Sequence, residues 1–223
     1  MSQAFFKLIQ SGSTAEVADA VQNDPSLARA QDASGVSALM WSIYAGQTLV
    51  RDFILAELTH QHTALNIFEA AAIGDTTHLG TILDIDSNAI HAYSADGWTP
   101  LHLAAAFAMP QTVQLLIQHG AKVDAVSKNP QANQPLHAAL ALSRNSESIQ
   151  LLLAAGADPN APQAGGFTPI FSAATANRRD LAELLLAHGA HAHLRSDQNK
   201  TPADFARERG HIELAHWLEA QPA

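Results

Sequence analysis

The stretch Thr99-Pro100-Leu101-His102-Leu103-Ala104-Ala105 decides the fold of this chain, because weaker copies of it recur at near-constant spacing. Thr201-Pro202-Ala203 lies 33 residues beyond Thr168-Pro169-Ile170, and Pro135-Leu136-His137-Ala138-Ala139 falls between that pair and the first copy. Leu115-Leu116 is followed by His119-Gly120-Ala121. That ending repeats as Leu151-Leu152 with Gly156-Ala157, and again as Leu184-Leu185 with His188-Gly189-Ala190. Self-similarity at this period marks a solenoid made by stacking one supersecondary unit on copies of itself.

Thr-Pro-Leu-His-x-Ala at a 33-residue period is the ankyrin signature, and on these residues the chain resembles the ankyrin-repeat family. The resemblance implies an all-α, ankyrin-type solenoid of about seven helix-pair units with short finger turns. Each unit would hold a finger, a first helix, a tight connection, a second helix and a loop to the next finger. Local chemistry fits. Thr supplies an N-cap oxygen, and the Pro after it occupies a helix position whose N–H would be unpaired anyway. The connection favours a residue tolerant of positive φ, a place taken by Gly12, Gly46, Gly74, Asn177 and Gly210. Ala108 stands there in the best-matching unit, which predicts strain or another turn type.

Aligned on those connections, 1–223 reads as a single ankyrin-repeat domain. Its units run approximately over 3–31, 32–62, 63–92, 93–126, 127–161, 162–194 and 195–220. Second helices carry apolar stripes such as Val50/Phe53/Ile54 and Leu181/Leu184/Leu185, with the spacing one helix face requires. A further regularity covers the N-terminal half: Phe6, Gly12, Asp24, Gly35 and Leu39 reappear 62 residues later as Phe68, Gly74, Asp86, Gly97 and Leu101. Residues 1–62 and 63–124 thus read as two copies of a two-unit cassette, each with a long linker at Asp24–Leu27 or Asp86–Ala89. Leu58 to Thr63 leaves little room for a finger before the third unit, so a bend is expected near His60-Gln61-His62. In the fifth unit Gln134 replaces the capping Thr. Residues 126–133 lengthen its finger, which should protrude into solvent, and residues 142–146 lengthen its inter-helix turn.

Composition sets bounds on function. The 223 residues are 47% apolar, enough to bury a core, while 12 Lys and Arg against 21 Asp and Glu leave a net charge of −9. That balance argues against nucleic acid as a partner. The one basic grouping, Arg178, Arg179, Arg195, Lys200, Arg207 and Arg209, is interleaved with acids and reads as a mixed solvated surface. Cysteine is absent, so disulfides, thiolate metal sites and thiol nucleophiles are excluded. No signal-peptide pattern or membrane-length apolar run appears, and a cytoplasmic location without membrane contact is the expectation.

Twelve histidines invite metal chemistry. His102 and His137 occupy the motif position, where the resemblance implies a structural bond to the neighbouring finger. His188, His191 and His193 cluster, but on a flexible loop that gives a zinc site little rigid frame; adventitious metal binding is favoured over a physiological site. Hydrolase, phosphate-loop and zinc-protease motifs are missing. The expectation is therefore a non-enzyme without metal or cofactor.

A binding surface remains. The resemblance puts recognition on the fingers and the exposed part of the first helices. The positions before each cap and before each connection should face that concavity: Val36, Tyr44, Trp98, Ala106, Phe107, Asn133, Phe167, Lys200 and Arg209 among them, with Tyr93 and Arg195 on its border. From these, Tyr44, Tyr93, Trp98, Phe107, Phe167, Arg195, Lys200 and Arg209 are the candidate partner-binding residues. The expected ligand is an unidentified protein, held by a monomer. A self-assembling scaffold and a His-dependent metal or small-molecule binder are the alternatives.

Overall fold

The computed structural model describes residues 2–143 and 145–222. Fourteen α-helices among them form seven antiparallel pairs: α1 Ser2–Ser11 and α2 Thr14–Asn23, α3 Ala38–Tyr44 and α4 Thr48–His60, α5 Ile67–Ile73 and α6 Thr76–Ile85, α7 Pro100–Ala106 and α8 Pro110–Gln118, α9 Pro135–Ala138 and α10 Ser146–Ala154, α11 Pro169–Thr175 and α12 Arg179–Ala187, α13 Pro202–Glu208 and α14 Ile212–Glu219. First helices pack side by side in chain order from α1 to α13, and each second helix backs its own partner. This is the all-α ankyrin solenoid.

Alanine lets the first helices approach. Ala70, Ala71, Ala104, Ala105, Ala138, Ala139, Ala173, Ala174 and Ala206 are all at most 1% exposed. The second helices supply larger side chains. In each stripe the first and last residues are buried and the middle one is half-buried, as in Leu181, Leu184 and Leu185. Spacings of three and four place them on one face toward the shared core.

Backbone hydrogen bonds join neighbouring fingers. Lys128 N donates to Gly97 O at 2.8 Å, Ala164 N to Gln131 O at 2.9 Å, and Asp197 N to Gly165 O at 2.9 Å. The fingers press so closely that a Cβ on Gly97 would lie 2.8 Å from the Lys128 carbonyl carbon. Unit three has no finger: the chain runs from Thr63 straight to the Asn66 cap of α5. The break occurs where the sequence leaves no room. A cleft of about 540 Å³ opens there, between α4 and α6, lined by Leu55, Leu58, His62, Ile73 and His78.

Turn chemistry follows the sequence with instructive exceptions. Gly12, Gly46, Gly74, Asn177 and Gly210 all adopt positive φ, and so does Ala108, at +59°. The Ala108 connection keeps the ordinary turn and carries the strain. His62, at φ +52°, closes α4 as Gly120 closes α8: its N–H donates to Thr59 O, and Thr63 N reaches back to Leu58 O.

The structure refines three local expectations and overturns a fourth. The linkers after α2 and α6 are 3₁₀ turns, Pro25–Arg29 and Ser87–His91, opened by Asp24 and Asp86 with closely matching dihedrals. Their aspartates accept from the N–H two residues on, which shapes the segment. The fifth finger keeps an exposed tip, but Ser127 and Asn133 at its base are buried and neighbouring fingers bond both sides. The long connection of that unit is absorbed by a π-helical turn over Ala139–Ser143; Arg144, within it, lies outside the described residues. Thr168 does not cap α11 through its side chain, because the first turn tightens and Phe171 N donates to the Thr168 carbonyl instead.

Ala108→Gly should raise stability by about 0.5–1 kcal/mol, since a left-handed L-residue costs roughly 1–2 kcal/mol and glycine returns part of that as unfolded-chain entropy. His62→Gly should behave alike. Thermal midpoints of both variants check this; an unchanged or lower midpoint for Ala108→Gly would show the turn is unstrained.

Candidate functional site

The missing third finger brings together side chains from units that would otherwise stand apart. Finger two closes with Asp32 N donating to Val36 O, and finger four with Ser94 N donating to Trp98 O. With nothing between them, the two fingers meet: a Cβ on Gly35 would sit 3.1 Å from that of Ala95. Tyr44, at the end of α3, reaches across the gap. Its hydroxyl donates to Asp96 Oδ2 at 2.6 Å, and its ring lies 5.9 Å from that of Phe107 at the end of α7.

Beneath this strap is an apolar cluster distinct from the main core. Val36, Met40, Ala72 and Leu103 are buried there, with Phe68, Trp98 and Phe107 half-buried around them. Trp98 stands edge-on to the His102 ring at 5.4 Å. Tyr44 remains 37% exposed. Partial burial, with the bond to Asp96 and that carboxylate's charge, raises the Tyr44 phenol above its ordinary pKa. It is a neutral donor under physiological conditions.

The imidazoles of the motif are structural. His102 Nδ1 lies 2.7 Å from Thr99 Oγ1, and its Nε2 lies 3.0 Å from the Asn133 carbonyl of the next finger. His137 is equally buried, with Nδ1 accepting from Gln134 N at 3.3 Å. Burial pushes both rings down to about 4. In unit three Glu69 takes the motif position; its carboxylate accepts from Asn66 N and from Ser37 Oγ, tying α5 to α3 where a finger is lacking.

The other sequence candidates lie elsewhere. Phe167 packs edge-on against Phe171 and Phe205, centroids 5.4 and 5.3 Å away. Lys200 borders that trio, 2.6 Å from Glu208 and over the Phe205 ring. Arg195 donates to the Asn199 carbonyl within finger seven, and Arg209 is exposed at the end of α13. Tyr93 turns away from the patch, bonding the Val126 carbonyl beneath Lys128. Three positions expected to face the concavity are buried instead. Val36 is sealed by the apolar cluster, Ala106 is 3% exposed, and Asn133 is held in the finger base by its carbonyl bond to His102 and its N–H bond to Ser127 Oγ.

Sequence reasoning missed Phe68, Met40 and Asp96. The 62-residue match of Phe6 with Phe68 was a usable signal, because both face inward from equivalent helices. Phe6 lines a second recess of about 520 Å³ with Lys7, Asp32 and Trp41, whose indole N–H donates to Asp32 Oδ2. Asp96 had no sequence signal, since its role depends on the two fingers meeting. Among the described residues no group of three or more His, Asp or Glu gathers round a point. His188 and His193 instead engage the Leu184 and Gln221 carbonyls.

Residues 67–163 and 140–221 match the family model for ankyrin repeats in three copies. The chain belongs to the ankyrin-repeat family. It is 40% identical over 115 residues to the mouse ankyrin repeat and SOCS box protein 16, covering 48% of this chain and 25% of that one. It is 34% identical over 119 residues to the mouse B-cell lymphoma 3 protein homolog, covering 53% and 26%. Against mouse rabankyrin-5 it is 36% identical over 92 residues, covering 41% and 8%. The chain thus spans about a quarter or less of these relatives' length. Ankyrin repeats generally mediate protein–protein interaction. No helix among the described residues is long and apolar enough to cross a membrane.

Because His102 and His137 titrate near 4 when folded and near 6.5 when not, the unfolded chain takes their protons first as pH falls. Their contribution is intact above pH 6.5 and is lost progressively down to pH 4, by up to about 3 kcal/mol per imidazole. Urea unfolding at neutral pH and near pH 4.5 should show a smaller acid loss for His102→Gln than for wild type. Equal losses would mean that His102 contributes nothing to the acid sensitivity.

Proposed function

We propose that this chain is a non-enzymatic protein–protein interaction module that holds a partner protein on its concave face. The observation that carries the reading is the convergence of Tyr44, Trp98 and Phe107 into one half-exposed patch rimmed by polar fingers. Aromatic anchors in such surroundings are the side chains that dominate binding energy at protein interfaces. Aromatics make up only 6% of the sequence, so three meeting on one face is a strong concentration.

The surface continues toward the C-terminus through Phe167, Lys200, Arg195 and Arg209, where the contact chemistry changes from apolar to charged. Arg178, Arg179 and Arg207 pair with Asp180, Glu183 and Glu219, which favours a protein ligand over a polyanion. Tyr93 braces the fifth finger at the margin. A cytoplasmic monomer acting through one seven-unit ankyrin domain, without cofactor, completes the reading. Nucleic acid and membrane are not its partners.

Truncating an anchor should weaken the partner by about 2 kcal/mol, roughly thirtyfold. Affinity capture from lysate with wild type and with Tyr44→Ala/Phe107→Ala tests this: the variant should lose bound proteins that wild type retains. Leu116→Ala, at a fully buried position, serves as the stability reference, costing about 2–5 kcal/mol. A double variant that keeps every bound protein would refute the concave site. A mass that climbs with concentration in light scattering would favour self-assembly instead.

A further inference from the structure

The net charge of this chain sits almost entirely in one half. Residues 1–121 hold eleven of the 21 carboxylate side chains but only three of the 12 Lys and Arg, so −8 of the −9 falls there. The remaining residues are nearly balanced. The aromatic patch of units two to four lies inside the acidic half, so the surface that anchors a partner also carries the long-range field that selects one.

Local chemistry points the same way. At three other places this protein lays one of its own cations over an aromatic ring. Lys200 lies over Phe205 and pairs with Glu208; Arg179 lies 4.8 Å over Trp217 and pairs with Glu183; Lys128 lies 4.1 Å over Tyr93. The corner formed by Tyr44, Phe107 and Asp96 has the same ingredients, two aromatic rings and a carboxylate. Yet among the described residues no Lys or Arg pairs with Asp96 or lies over either ring. Among the described residues Asp96 accepts from two hydroxyls, Tyr44 and Ser94, and no cation pairs with its charge.

We propose that this corner receives a Lys or Arg side chain from a basic peptide segment of the partner protein. The cation docks on the Asp96 carboxylate over the Tyr44 and Phe107 rings. A neighbouring apolar side chain packs on the half-exposed faces of Phe68 and Trp98. Finger four sets the register, because it carries both Asp96 and Trp98. The inference rests on the concave-face reading and narrows its partner to one charge class.

A random-peptide library displayed on phage, selected on the full chain, tests it. Enriched sequences are then measured as synthetic peptides by fluorescence anisotropy. They should pair Lys or Arg with an adjacent aliphatic or aromatic residue, and their affinity should fall between about 50 and 300 mM salt. Asp96→Asn keeps an oxygen for the Tyr44 hydroxyl but removes the charge. It should weaken these peptides at least about tenfold while its circular dichroism and thermal midpoint stay near wild type. Enrichment of neutral or acidic sequences, no enrichment, or indifference to Asp96→Asn overturns the proposal. The Trp98→Ala/Phe107→Ala variant separates the two levels. If neutral peptides are enriched yet still need those rings, only the charge class fails. If enriched peptides bind that variant unchanged, the concave site itself fails.

Discussion

Close contact between neighbouring first helices is the constraint from which everything else in this protein follows. A seven-residue helix such as α7 has little stability of its own in water. It persists because Ala104 and Ala105 let α5 and α9 come within packing distance and bury the leucines between the layers. Larger side chains at those alanines would hold the helices apart and break the finger-to-finger hydrogen bonds, which need the same spacing. Stability is therefore shared between neighbours, as expected of a stack in which each unit contacts only the next.

The fingerless third unit gains its meaning against that regular background. Its helices stay in register, tied to unit two through the Ser37–Glu69 bond. Its absent finger removes the spacer between fingers two and four. Tyr44 then spans the distance to Asp96 and Phe107, and an apolar cluster forms beneath it in addition to the main core. A local shortening of the chain, between Leu58 and Ala64, thus creates the feature that distinguishes this surface from a uniform ankyrin groove.

Much of the fold was legible because its signals are local. Helix starts were marked by Thr99 and Thr201 with the Pro after each, connections by the positive-φ residues, and core faces by leucine spacing. The strain at Ala108 was legible for the same reason. The proposed binding surface was legible only in part. Position within a unit singled out Tyr44, Trp98 and Phe107 as candidates, but their convergence depends on an omission between Leu58 and Ala64 that acts over distance. Asp96, Met40 and Phe68 join the patch through contacts no single-unit alignment can show. Val36, Ala106 and Asn133 were misjudged because alignment gives direction along a helix and not how much a neighbour covers.

Tyr44 and Phe107, 63 residues apart in sequence, form one surface because no finger stands between their units. A double-mutant cycle of Tyr44→Ala and Phe107→Ala, read by equilibrium unfolding, measures that contact directly. A coupling of about 0.5–1.5 kcal/mol is expected, the range for packed aromatic pairs. Strictly additive effects would mean the two rings act independently and the strap across the third unit does not form.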